Sequence, residues 1–159
     1  MNAPVSRRIP ALIGFVGAAF GAGAIGSWAT FENVRAWYPA LNKPEWRPPN
    51  WLFAPVWTVL YVLMGVAIWR AWRAGGPAAA RLVRGYFAQL AFNALWSVLF
   101  FGLKQPAWAL ADILLLWGLL LWLQVGLGRT DRRAGILWLP YVLWVGFAAA
   151  LNAAIVRLN

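Results

Sequence analysis

From Trp51 to Trp69 the chain carries no acidic or basic side chain. A helix rises roughly 1.5 Å per residue and the hydrocarbon core of a bilayer is about 30 Å thick, so such a run suits a membrane crossing. The stretch before it, Trp37 to Asn50, contains Pro39, Pro44, Pro48 and Pro49 and is too punctuated to be a helix. Trp37, Trp46, Trp51 and Trp57 crowd the boundary between the two parts, and amphipathic indoles favour the edge of the hydrocarbon. The reading is a lid joined to a membrane helix. Further apolar runs follow the same logic and predict helices over about 9–31, 51–72, 80–103, 107–127 and 134–157. With 63% apolar and 11% charged residues, a chain of 159 residues exceeds what one soluble core hides. The expected fold is therefore an all-α membrane protein, a five-transmembrane-helix bundle forming a single domain over residues 1–159.

Two residue types are missing. Without Cys there is no disulfide framework, thiolate nucleophile or thiolate metal site; without His the commonest general base and metal ligand are gone. No metal site is expected, and most hydrolase and metalloenzyme chemistries are excluded. The net charge of +10 raises the question of nucleic acid, but the basic residues lie between apolar segments rather than on a face interleaved with exposed aromatics. They are read instead as orientation signals. Five spans put Arg7, Arg8, Arg70, Arg73, Arg81, Arg84, Arg129, Arg132 and Arg133 on one side. Arg35, Lys43, Arg47, Lys104 and Arg157 fall on the other. The excess predicts a cytoplasmic N-terminus and an external Trp-rich loop.

The first run, Ile9 to about Phe31, follows Arg7 and Arg8 and has small residues at Ala22 to Ala24, features shared with secretory and twin-arginine signals. Its length favours a retained helix. Gly14, Ala18, Gly21 and Ile25 share a face, and Gly17 with Gly21 permits close approach of a helix, within the bundle or in a dimer. Gly75-Gly76-Pro77 ends the second helix, and Pro140 either kinks the last one or sits harmlessly in its first turns.

Polar groups within the spans point to a site, because an unpaired amide or carboxylate in lipid is costly. Gln89, Asn93, Trp96 and Phe100 recur on one face of the third helix. Trp108 and Asp112 lie one turn apart in the fourth, Trp57 and Tyr61 likewise in the second. Tyr141, Trp144, Ala148, Leu151 and Asn152 form a stripe on the fifth. The amides serve either as ties between helices or as part of a site. Trp57, Trp96, Trp108, Asp112 and Leu151 fall in the outer half of the membrane, where they are expected to line an aromatic pocket under the loop.

The runs WYPALNKPEWRPPNWLFAPVWTVLYVLMG, QLAFNALWSVLFFG, WALAD and LPYVLWVGFAAALN closely resemble the translocator protein family, which comprises the tryptophan-rich sensory proteins of bacteria and the peripheral-type benzodiazepine receptors of mitochondria. The resemblance extends from the first helix to Asn159. It implies a five-helix membrane bundle, commonly a homodimer, that binds porphyrins, sterols and drug-like ligands. By this resemblance Trp57 and Trp144 match the tryptophans associated with porphyrin binding and breakdown, and Asn93, Trp108, Ala148 and Leu151 match a drug pocket. The chain departs from the family's sterol-recognition stretch: Leu151 and Asn152 are followed by Ala153 and Ala154 rather than by an aromatic Tyr before Arg157.

A flat conjugated ring such as protoporphyrin IX or another tetrapyrrole suits a slot between indoles. Its carboxylates need cations at the rim, a role for which Arg35, Lys43 and Arg47 of the lid are candidates beside Trp37 and Trp46. Iron ligation would fall to Tyr38, Tyr61, Tyr141 or Met64. No cofactor is required, since the porphyrin itself is ligand or substrate. Three functions remain. The favoured one is a membrane receptor or sensor regulating tetrapyrrole metabolism or a stress response. The second is a light- and oxygen-dependent porphyrin-degrading enzyme in which Trp57 and Trp144 donate electrons. The third, a porphyrin or sterol transporter, has the least support, because five spans provide no paired inverted repeat.

Overall fold

The structure is a computed structural model and describes residues 8–159. Arg7, counted above among the orienting residues, lies outside the described residues. Six α-helices follow one another: α1 (Arg8–Thr30), the short α2 (Asn33–Ala36), α3 (Phe53–Ala74), α4 (Gly76–Ser97), α5 (Pro106–Thr130) and α6 (Arg132–Leu158). Among the described residues all regular structure is helical. Four stretches are long and apolar enough to cross a membrane: α1, Asn50–Ala74, α5 and α6. α4 matches α3 in length, but Arg81, Arg84, Gln89 and Asn93 lower its apolar character. The architecture is that of a helical membrane bundle.

The long helices close a ring in the order α1, α3, α6, α5, α4 and back to α1. Its interior is filled by Met64, Ile68, Tyr86, Leu116, Leu120, Leu123, Trp138 and Tyr141, all fully buried. The outside stays apolar, with Ile9, Ile13, Leu115, Ile136 and Leu143 exposed, as lipid-facing positions require.

α5 and α6 are longer, and the turns before α4 and α6 tighter, than the sequence signals suggest, while α1 and α3 keep their expected lengths. α4 begins at Gly76 rather than near Ala80, because Pro77 occupies the first turn, where its missing N–H removes no intrahelical bond. Gly75 and Gly76 take φ of 73° and 81°, left-handed values that let the chain reverse within a residue or two. At the same end of the bundle, the turn expected over 128–133 contracts to Asp131. Its carboxylate accepts the N–H groups of Arg133 (2.8 Å) and Ala134 (3.4 Å) and starts α6. Arg129, Arg132 and Arg133 thus sit on helix ends, and Arg81 and Arg84 in the first half of α4, rather than in loops. Pro140 lies well inside α6, which continues through it.

The small residues of α1 pack on a different face from the one singled out in the sequence. Phe15, Ala19, Ala22, Gly23 and Gly26 turn inward, and a Cβ on Gly26 would come within 2.9 Å of the Ser97 hydroxyl. A Cβ on Gly14, Gly17 or Gly21 would meet nothing within 4 Å. The Gly17 and Gly21 pair therefore does not serve packing inside the bundle. Close internal approach comes at Gly65, where a Cβ would stand 2.8 Å from the Cα of Val16.

Candidate ligand-binding cavity

α4 does not stop cleanly at Ser97. Its chain widens into a π-turn over Val98–Gly102, a form of helix that recurs at functional sites. The turn throws Phe100 and Phe101 towards the loop joining α1 to α3, and Trp96 stacks on Phe100 with centroids 5.1 Å apart and 25° between planes. Trp37 meets Phe100 edge-on at 5.8 Å, and Tyr38 packs against Phe101 at 5.6 Å. Asn33 donates its side-chain amide to the Phe101 carbonyl at 2.9 Å. The far side of the loop is fastened to α6. Asn42 and Asn159 exchange hydrogen bonds of 3.0 and 2.9 Å, Asn42 also donates to the Leu158 carbonyl, and Trp46 rests edge-on against Phe147.

Beneath this loop lies a cavity of about 660 Å³, a size usual for drug-sized ligands. Its aromatic wall combines Trp57 and Tyr61 of α3, Trp96 of α4 and Trp144 of α6, with Phe20 and Phe31 from the α1 side. Trp57 is tilted on Tyr61 at 5.4 Å, and Phe53 meets Trp144 edge-on at 5.7 Å. Asn93, Ala148, Ile113 and Leu116 complete the floor, while Val34 and Tyr38 reach in from the loop. Burial pushes the Tyr38 hydroxyl pKa up, with Arg47 opposing the shift, so this phenol stays protonated at neutral pH. A Cβ on Gly23 would meet the Tyr61 ring at 2.5 Å, so the glycine makes room for that ring at the cavity wall.

The cavity brings together Trp57, Tyr61, Asn93, Trp96, Trp144 and Ala148 of the residues singled out in the sequence. Three others stand apart. Trp108, expected in the aromatic pocket, is 68% exposed on the outer face of α5, because α5 turns Ala109, Asp112, Ile113 and Leu116 inward instead. Leu151 is buried beside Tyr38, Phe100 and Ala109 in a second apolar cluster. Asp112 is 5% exposed and neither of its carboxylate oxygens has a hydrogen-bond partner among the described residues, yet it is not part of the cavity wall. The lid cations also differ in use. Lys43 donates its ammonium to the carbonyls of Tyr38, Pro39 and Leu41 and lies 4.9 Å from the centre of the Tyr38 ring, so it ties the loop to itself. Burial lowers its pKa, and the neighbouring Arg47 lowers it further. The Arg35 guanidinium covers the ring of Phe31 at 5.5 Å, and Arg47 is exposed.

The polar residues do tie helices together. Tyr141 donates its hydroxyl to Gln89 at 2.7 Å and accepts from the Asn93 amide at 3.0 Å. Trp96 donates to Asn152 at 3.0 Å, and Asn152 in turn donates to the Pro106 carbonyl at 2.8 Å. Asn93 does both jobs, joining α4 to α6 and lining the cavity. Phe20, Phe31, Val34, Phe53 and Ile113 escaped the sequence reading, since single apolar side chains on apolar helices carry no periodic or polar signal.

Fold and cavity together define an integral, multi-pass helical membrane protein with an aromatic, ligand-sized chamber near one end of its bundle. Residues 15–158 match the TspO/MBR family, and the chain belongs to that family. It is 41% identical over 148 residues to the tryptophan-rich protein TspO of Archaeoglobus fulgidus, covering 93% of this chain and 96% of that one. It is 42% identical over 123 residues to the tryptophan-rich sensory protein of Cereibacter sphaeroides, covering 77% of each. With the translocator protein of Bos taurus it shares 37% identity over 147 residues, 91% of this chain and 82% of that one. Membership supports a membrane sensor or translocator role.

Proposed function

We propose that this protein is a membrane sensor that binds a flat tetrapyrrole, protoporphyrin IX or a close relative, in the aromatic cavity and so regulates tetrapyrrole metabolism. The observation that carries this reading is the joint presence of Trp57, Trp96 and Trp144 around one chamber of about 660 Å³. Indole faces supply offset stacking for a conjugated ring beyond the effect of area alone. α4 acts as the fifth span: its arginines sit near one end, and its interior amides are bonded or buried against neighbours. The loop from Phe31 to Asn50 acts as the lid, pinned to α4 through Asn33 and to α6 through Asn42. Arg35 and Arg47 are the cations left to meet ring carboxylates, since Lys43 is engaged by carbonyls. A homodimer is expected from the family resemblance, and the outward Gly17 and Gly21 leave room for it.

The test is quenching of Trp fluorescence on titrating the detergent-purified protein with protoporphyrin IX in the dark, followed by absorbance under illumination. Saturable quenching is expected, and metal-free porphyrin should bind at least as well as haem. Of the four iron-ligand candidates, Tyr141 is committed to Gln89 and Asn93, and Met64 is fully buried. Absence of quenching removes the tetrapyrrole from the reading, and much tighter haem binding with a Tyr-ligated spectrum overturns the indole slot.

One observation favours the second reading, photo-oxidation of the bound porphyrin: both Trp57 and Trp144 line the chamber. Light-dependent bleaching that falls in the Trp57→Phe and Trp144→Phe variants while dark binding persists would make the protein an enzyme. A stable spectrum under light leaves it a sensor.

A further inference from the structure

Among the described residues, none that lines the aromatic chamber is charged. Ionised carboxylates of a flat ring therefore stay at the mouth, because a charge taken into an uncharged chamber is left without a partner. The opposite edge of the ring is the part that goes in. Inside, it meets groups that are polar without being charged. Thr30 and Thr58 spend their hydroxyls on their own helices, donating to the Gly26 and Ala54 carbonyls at 2.7 and 2.9 Å, and the Asn93 amide donates to Tyr141. The hydroxyls of Tyr61 and Ser97, both half-buried, have no hydrogen-bond partner among the described residues. Other unpaired donors line the chamber, the Trp57 and Trp144 N–H groups among them, but these two hydroxyls share a wall. A Cβ on Gly23 would come within 2.5 Å of Tyr61 Oη, and a Cβ on Gly26 within 2.9 Å of Ser97 Oγ. Positions three apart on a helix lie about 5–6 Å from each other on one face, so the hydroxyls form a pair along α1. The Tyr61 ring is held by Trp57 at 5.4 Å and by Phe20, edge-on, at 5.3 Å. A group fixed in this way gives up little conformational freedom when it binds.

We propose that Tyr61 and Ser97 are a hydrogen-bonding pair that selects a flat ligand carrying a carbonyl oxygen on the edge that enters the chamber. A hydroxyl donates to a carbonyl without any change of charge, and a donor covered by a ligand that offers no acceptor loses its water for nothing in return. A ring whose inner edge is hydrocarbon leaves both hydroxyls in that state. The assignment rests on a tetrapyrrole occupying the chamber, and it goes beyond stacking to say which tetrapyrrole is preferred.

The experiment measures dissociation constants in the dark, by quenching of Trp fluorescence in detergent, for the wild type, Tyr61→Phe and Ser97→Ala. Each is titrated with protoporphyrin IX and with diacetyldeuteroporphyrin IX. The two porphyrins carry the same propionates and differ on the other edge, with vinyl groups in one and acetyl groups in the other. The acetyl porphyrin should bind the wild type about tenfold more tightly, and each variant should reduce that ratio about threefold. The ratio cancels any loss of stacking common to both ligands. Equal affinity of the wild type for the two porphyrins overturns the pair and leaves the tetrapyrrole reading in place, as does a preference that both variants retain in full. Absence of quenching by either porphyrin overturns that reading and this assignment with it. Should one variant fail to fold, the other carries the comparison.

Discussion

Tyr141 shows how a single side chain in this bundle serves packing and site together. It is fully buried, and its hydroxyl links the Gln89 oxygen to the Asn93 amide. Replacing it with Phe leaves two amide groups short of a partner in an apolar interior, which should cost about 1–2 kcal/mol. The check is a lowered unfolding midpoint in detergent for Tyr141→Phe; an unchanged midpoint would mean that Gln89 and Asn93 find other partners at no cost. Asn93 also loses the bond that orients it at the cavity floor. At this scale the sequence was informative at several of the residues that broke the apolar pattern. Trp57, Tyr61, Asn93, Trp96 and Trp144 were marked by chemistry and helical spacing, and the cavity gathers all five. Trp108 carried the same marks and yet faces outward at 68% exposure. Spacing groups residues on one face of a helix but does not say which face meets the neighbours.

At the scale of elements, Asp131 joins three helices. It caps α6 through the N–H groups of Arg133 and Ala134 and holds Arg70 at the end of α3, in the single residue separating α5 from α6. Burial alone would raise its pKa, but the Arg70 hydrogen bond and the two N–H groups outweigh it and hold the carboxyl below its usual value. A depressed folded pKa stabilises the protein fully above the unfolded value of about 4, and the contribution fades as pH falls through the folded one. Asp131→Ala should therefore cost about 1 kcal/mol near pH 7, as expected for loss of an N-cap. Asp131→Asn should cost less, because Asn also caps. Unfolding midpoints measured from pH 7 down to pH 3 should converge for wild type and Asp131→Ala as the acid limit approaches; a constant gap would exclude the ionised carboxylate as the cause. The helices themselves were legible because long uncharged runs have few alternatives in lipid. Their ends were less so, since a proline or glycine pair marks a break without saying whether it falls before or inside the next first turn.

At the scale of the whole molecule, the unequal distribution of basic residues sets the proposed orientation. Arg70, Arg73, Arg81, Arg84, Arg129, Arg132 and Arg133 gather towards one end of the bundle, and the Trp-rich loop lies at the other. The absence of Cys makes this directly measurable. Glu45→Cys on the loop should react with a membrane-impermeant maleimide added to intact cells, and Arg132→Cys should react only after the membrane is opened. The reverse pattern would invert the orientation. Composition and the spacing of apolar runs by themselves determined that the chain is helical, lies in a membrane and places a Trp- and Pro-rich segment before its second long helix, because the energetic cost of unpaired backbone or charge in hydrocarbon excludes other arrangements. The tertiary structure alone decided the order of helices around the ring, the outward turn of Gly17, Gly21 and Trp108 and the commitment of Lys43 to its own loop. Each depends on how helices rotate about their axes and meet at a distance, and in helices apolar on every side the pattern along the chain carries little record of that rotation.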